Sequence, residues 1–131
     1  MYNTNTMFIL AHFLLAGNTG LCPYLAREYA NQYHTLLVQH EGSCYELLHH
    51  KISWSHAESL CQQAGGHLAH INNAHEQAYI QSLLSKYSPQ RAVWIGLHDQ
   101  NVEGYFQWTA GWFKSMVPYY IILHFNLLCQ T

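Results

Sequence analysis

Charge is scarce in this chain. Asp, Glu, Lys and Arg make up 9% of its 131 residues against 50% hydrophobic, a balance far from that of disordered segments. The formal net charge is −2 and Lys and Arg together number five, scattered at Arg27, Lys51, Lys86, Arg91 and Lys114. A nucleic-acid surface needs clustered basic side chains to displace counterions, so that class is excluded. No polybasic run serves a membrane surface either. There is no Cys-x-x-Cys, which removes a zinc ribbon and a thioredoxin-type redox site, and no Asn-x-Ser/Thr acceptor for N-glycosylation. Internal repeats and low-complexity stretches are absent. The length suits one domain with a modest core.

What is present begins with an apolar N-terminal run, Met7 to Gly17. It has the length of a signal-peptide core rather than of a membrane span, and small residues (Ala16, Gly17, Gly20) follow as a cleavage site requires. Residues 1–20 therefore read as a signal peptide, although no basic residue precedes the run and His12 interrupts it. The alternative is an apolar extension that packs on the domain. Four cysteines, Cys22, Cys44, Cys61 and Cys129, fit an oxidising compartment. Four cysteines allow three pairings, and the sequence alone does not choose among them. Eleven histidines make the charge depend strongly on pH between about 5 and 7.

From Cys22 to His40 a weak alternation with several tyrosines predicts a strand or an irregular lead-in. Cys44–Leu48 reads as a short strand with Tyr45 and Leu47 on one face. A helix follows, with Ser55 and Glu58 as a capping box and Ser53 as an alternative N-cap. Ala57, Leu60, Cys61 and Ala64 form its apolar stripe, and Gly65-Gly66 stops it. Leu68 to Ile71 is a short strand. A second helix opens on Asn73 and Glu76, buries Ile80, Leu83, Leu84 and Tyr87, and closes at Ser88-Pro89. Ala92 to Leu97 is a central strand, and a turn at Gln100–Gly104 leads to an aromatic strand, Tyr105–Trp108. From Trp112 onward the chain becomes an apolar, charge-free tail too short for a comfortable span. It reads as an anchor or partner-binding strand, or as the divergent tail of a truncated product.

Taken as a set, Gly42-Ser43-Cys44-Tyr45, Trp54-Ser55-His56-Ala57-Glu58-Ser59-Leu60-Cys61, Gly65-Gly66-His67-Leu68 and Trp94-Ile95-Gly96-Leu97, followed by Trp108-Thr109-Ala110-Gly111, resemble the first half of a C-type lectin-like domain. The resemblance implies an incomplete α+β fold of that type, with two helices against a small mixed or antiparallel sheet. It places a partial domain at 22–111 and a divergent tail at 112–131. It also implies a bridge from Cys61 to a cysteine at the domain's end, for which Cys129 is the remaining candidate, and an N-terminal pair of Cys22 with Cys44. A Cys61–Cys129 bond would constrain the unfolded chain by about 4 kcal/mol.

Sugar-binding members of that family are similar to one another in a calcium site built from a Glu-Pro-Asn or Gln-Pro-Asp loop and a Trp-Asn-Asp strand. Calcium requires six to eight oxygen ligands. After Trp108 this chain has no Asp or Glu, so that site cannot be assembled from it and no cofactor is expected. A zinc-protease pair is absent, because His75-Glu76 is followed by Tyr79 where the second histidine belongs. His67 and His70 are expected on opposite faces of their strand. Ser55, His56 and Glu58 do not face one another, so enzymatic chemistry is not expected. Trp54, Trp94 and Trp108 fall within apolar periodicity and read as core rather than as a stacking platform; Trp112 is undecided.

The sequence thus assigns no catalytic, metal or ligand-binding residue. The resemblance implies a secreted or extracellular recognition module, from a receptor or a soluble protein whose complete form binds a glycan or protein ligand. Nucleic acid is not a partner, and a membrane would be met only through a longer parent protein or weakly through the tail. The alternative is a truncated or alternatively spliced product, non-binding or regulatory, acting through that tail.

Overall fold

In a computed structural model of the chain, which describes residues 8–15, 19–49, 52–71, 73–87, 93–99, 101–105, 107–108 and 127–130, two consecutive left-handed residues set the first hairpin. Glu41 and Gly42 have φ of 47° and 79°. A two-residue turn with both φ positive matches the twist of the strands it joins. It links β2 (Leu36–His40) to β3 (Ser43–His49), pairing His40 with Ser43 and Leu36 with Leu47.

The strand beside this hairpin is the N-terminal apolar run. Strand β1 (Phe8–Leu14) lies antiparallel to β3 along its whole length, from Phe8 opposite His49 to Leu14 opposite Ser43. On its other side it runs parallel to β5 (Val93–His98) at Phe8–Val93 and Ile9–Trp94, and it also pairs with the short β4 (His67–Leu68). Strands β6 (Gln107–Trp108) and β7 (Leu127–Gln130) pair with β5, antiparallel and parallel respectively. The sheet order is β2-β3-β1-β5-β6, with β1 central. Ile9, Leu10 and Ala11 are wholly buried, so the stretch with the length of a signal-peptide core is also the middle of this sheet.

Alternation along β1 divides the core in two. Leu10 faces a cluster with Tyr45, Leu47, Val93, Ile95 and Leu97, covered by α3 (Ala74–Tyr87) through Ile80, Leu83 and Leu84. Ile9, Ala11 and Phe13 face the other cluster, covered by α1 (Tyr24–Tyr33) through Ala26 and by α2 (Trp54–Gln63) through Trp54, Ala57 and Cys61. Helices thus lie on both faces of a mixed sheet, an α+β arrangement.

Helix α1 is a departure from the strand or irregular lead-in expected there. Its N-cap, Pro23, supplies no side-chain bond, and Ala26 is its one buried residue, so little apolar periodicity marks it in the sequence. The Arg27 Nε–H instead donates to the Cys22 carbonyl at 2.9 Å, and Tyr29 stacks near Tyr33 one turn on. Helix α2 is capped by Ser53, whose hydroxyl accepts from the His56 N–H; the Ser55–Glu58 box does not form, because Glu58 is buried against β4. In α3 the Asn73 side-chain Oδ1 accepts from the Glu76 N–H at 2.9 Å, as expected, but Tyr87 is 44% exposed and lies off the buried face. The second-helix stop at Ser88-Pro89 and all of the tail except Leu127–Gln130 lie outside the described residues.

Cys22 and Cys44 form a disulfide, with Cα atoms 5.8 Å apart, that pins the start of α1 to β3. Cys61 carries a free, buried thiol, so the bridge to Cys129 implied by the resemblance is not made. Burial, with the Glu58 and Glu46 carboxylates nearby, pushes that thiol far up, which leaves it inert. Trp54 and Trp108 are core, as expected, while Trp94 is half-buried with its indole N–H donated to the Ile52 carbonyl at 2.9 Å. Trp112 lies outside the described residues.

Two outcomes follow from this arrangement. Replacing both Cys22 and Cys44 by Ser is expected to lower stability by about 3 kcal/mol, since a 22-residue separation is freed in the unfolded chain; urea denaturation measures it. A chain beginning at Leu21 lacks the central strand and the 2.8 Å bond from the Ala69 N–H to the Leu10 carbonyl. It is expected to lose its near-UV circular dichroism and its cooperative thermal transition, both of which the full chain retains.

Candidate functional site

Where α2 ends, the chain must turn back under the central strand. Gly65 takes a φ of 88° to end the helix, and the Gly66 N–H closes on the Cys61 carbonyl at 2.9 Å. A Cβ on Gly66 would stand 2.5 Å from the His12 carbonyl oxygen and from the Phe13 ring, so only glycine permits this approach. Beyond it a cleft of about 340 Å³ opens, lined by His12, Phe13 and Leu14 from β1 and by Gly65, Gly66, His67 and His70.

His67 and His70 therefore share one cleft, contrary to the expectation that they lie on opposite faces. Strand β4 ends at Leu68, and the two-residue alternation ends with it. The His12 ring meets the His70 ring edge-on at 4.6 Å and stacks on Tyr45 at 5.0 Å. Its Nε2 lies 2.8 Å from the Ser43 hydroxyl. Burial holds the His12 imidazole down at about 4, with the neighbouring His70 and His67 adding to the effect, so it is neutral at physiological pH. Burial also lowers His70 and raises the Tyr45 phenol to about 12.

Glu58 touches the cleft through His67. Its carboxylate accepts from the Leu68 N–H at 2.9 Å and the Gln62 amide at 2.8 Å, and lies 3.0 Å from His67 Nδ1. With those contacts made, it is committed to structure. What the cleft offers a ligand is the neutral imidazoles of His12 and His70, a group that both donates and accepts hydrogen bonds, beside the Phe13 ring. Such a surface suits an uncharged hydroxyl or amide better than a hard cation. His12 carried no functional signal in the sequence, where it only interrupts an apolar run; its position became visible once β1 was placed between β3 and β4.

A mixed sheet with helices on both faces defines a small α+β domain. The profile described as "Lectin C-type domain" matches residues 50–124, running past Gly111. The chain belongs to the C-type lectin domain family. It is 39% identical over 74 residues to Snaclec bothrojaracin subunit beta of Bothrops jararaca, covering 55% of this chain and 49% of that one. To Snaclec botrocetin subunit beta of the same species it is 34% identical over 93 residues, covering 70% and 74%. To human C-type lectin domain family 10 member A it is 39% identical over 74 residues, covering 56% of this chain and 22% of that one. The chain thus spans about half or less of the first and third of these relatives. No solved structure gives a significant match.

The cleft and the sheet beneath it give opposing pH effects. A His12 pKa of about 4 lies below the ordinary 6.5, so between those values the unfolded chain binds a proton that the native ring refuses, and acidification destabilises. Glu46 is buried on β3 beside the Thr35 hydroxyl, and burial raises it to about 6 from 4.5, so acidification through that window stabilises. The two oppose between pH 6 and 4.5. Glu46→Gln is expected to leave the His12 effect bare: its stability to urea falls more steeply from pH 6 to 4.5 than that of the wild type. NMR titration should show the His12 ring inflecting near pH 4.

Proposed function

We propose that the chain is an extracellular recognition module of the C-type lectin class that contacts a glycan or protein ligand without calcium. The observation that carries this reading is the donor inventory. After Trp108 the sequence contains neither Asp nor Glu, and the Glu58 carboxylate beside the cleft's His67 is held by Gln62 of α2 and the Leu68 N–H of β4. Calcium would find too few oxygens, whereas the neutral His12 and His70 imidazoles beside the Phe13 ring can meet a hydroxyl-bearing group.

The reading is one of binding without turnover. Ser43 and His12 are hydrogen-bonded, but an imidazole held near 4 is a weak general base at neutral pH. Among the described residues no helix is long and apolar enough to cross a membrane. Secretion that preserves this fold keeps Phe8–Leu14 in the mature chain, because that segment is the central strand. The alternative, a truncated or alternatively spliced product acting through its apolar tail, draws less support: Leu127–Gln130 of that tail is already paired with β5.

Calcium titrated into the purified full chain by calorimetry should give no heat at site stoichiometry. On a glycan and protein-ligand array, any binding should be the same with calcium as with EDTA. A stoichiometric calcium heat, or binding abolished by EDTA and restored by calcium, overturns the proposal.

A further inference from the structure

The β2–β3 hairpin turn and the first turn of α3 bring together two histidines and a glutamate that lie far apart in the sequence. Their ligand atoms, one each from His40, Glu41 and His75, all fall within 4.8 Å of one another. The Glu41 carboxylate spans both imidazoles: one oxygen is 2.9 Å from His75 Nε2, the other 3.8 Å from His40 Nε2. We propose that His40, Glu41 and His75 form a binding site for a borderline divalent transition-metal ion, with zinc as the reference ion.

Three features distinguish this cluster from an ordinary surface ion pair. First, its backbone is fixed. Glu41 sits in a tight turn closed by Gly42, with its own φ at 47°, and His75 follows the Asn73 cap of α3. Second, the His40 ring is clamped. It lies flat on Tyr79 at 3.6 Å with planes 6° apart, and Tyr79 projects from the same face of α3 as His75, one turn away. The His40 and His75 rings are themselves nearly parallel, with centroids 5.8 Å apart. Third, His40 Nε2 is shielded from solvent and has no hydrogen-bond partner among the described residues, while it faces the carboxylate. A buried imidazole nitrogen ordinarily finds a partner. A metal ion on the carboxylate side would satisfy it.

The donor set selects the ion. Two imidazoles and one carboxylate suit zinc, copper or nickel, and are a poor match for calcium, which takes oxygen ligands. Ligand atoms around a tetrahedral zinc ion at about 2.0–2.1 Å stand about 3.3 Å apart, so the Glu41–His75 pair at 2.9 Å would open slightly and the Glu41–His40 pair at 3.8 Å would close. Glu41 and His75 are 62% and 66% exposed at their side chains and can make these adjustments, while His40 holds the reference position. Three protein ligands leave a coordination position for water or for a donor atom of a bound partner. The site does not depend on the calcium-free reading proposed above, and it is separate from the His12 cleft.

The test is calorimetric titration of the full chain with zinc, in wild type and variants. The expected result is one zinc per chain. His75→Ala and Glu41→Gln, both at exposed side chains, should each weaken binding by about tenfold or more, since even outer-shell partners of a metal are worth about 10–100-fold. His56→Ala, an exposed histidine on α2, should leave the affinity unchanged. With copper as the probe, electron paramagnetic resonance should show two coordinated nitrogens in the wild type and one in His75→Ala. The proposal is overturned if the wild type takes up no zinc at stoichiometry, if His75→Ala and Glu41→Gln bind as the wild type does, or if His67→Ala in place of His75→Ala abolishes binding.

Discussion

Every layer of this domain leans on the pairing of Phe8–Leu14 with its neighbours. Strand β1 joins the β2–β3 hairpin to β5, and without it the sheet would be two separate pieces. Its alternate residues feed both cores, Leu10 toward α3 and Ile9, Ala11 and Phe13 toward α1 and α2. A two-stranded hairpin is marginal in water, and three or more strands with covered faces are needed for independent stability. The physical demand is on composition: a strand buried on both faces over most of its length must be predominantly apolar. A secretory core must also be apolar, over a similar length. One composition meets both demands, so residues 8–14 can look like a leader and still serve as the centre of a sheet.

That overlap explains much of what was legible in the sequence and what was not. Helices α2 and α3 announce themselves through caps and stripes, and the structure places them where Ser53, the alternative cap of α2, and Asn73 and Gly65 predict. The Trp94 strand was readable from its unbroken apolar run. Helix α1 was hidden because it buries only Ala26, and periodicity cannot register a helix that rests on the core by one small side chain. The Ser55–Glu58 capping box failed for a different reason. Glu58 fits the local pattern, yet a backbone N–H on β4 ten residues away competes for its carboxylate and wins it. Local rules do not see such partners.

The sites were less legible than the fold, because both are made by contacts across long sequence separations. His12 and Ser43 are 31 residues apart, and His75 and Glu41 are 34. No ligand spacing of the short-motif kind links them. The cleft depends on Gly66 slipping under the His12 carbonyl, and the histidine–glutamate cluster depends on a two-residue turn meeting a helix start. What the sequence did carry was the raw material: eleven histidines in a chain with few charges.

The few carboxylates are then the scarce resource, and their placement decides what chemistry remains. Glu58 and Glu46 are both buried and hydrogen-bonded inside the fold, one to β4 and one to Thr35. Asp99 is buried and accepts from the Gly104 N–H at 2.9 Å, holding the turn before β6. A carboxylate spent on a backbone N–H in the interior cannot also coordinate an ion at the rim. Glu41 is different in kind: it stands exposed on a rigid turn with imidazoles on either hand. From there a run of ring contacts, His40 to Tyr79, Tyr79 to Tyr45, Tyr45 to His12 and His12 to His70, crosses the α3-facing side of the sheet to the cleft. Among the described residues, contact along this run is made by imidazole and phenol rings, with the Ser43 hydroxyl and the Glu41 carboxylate beside it.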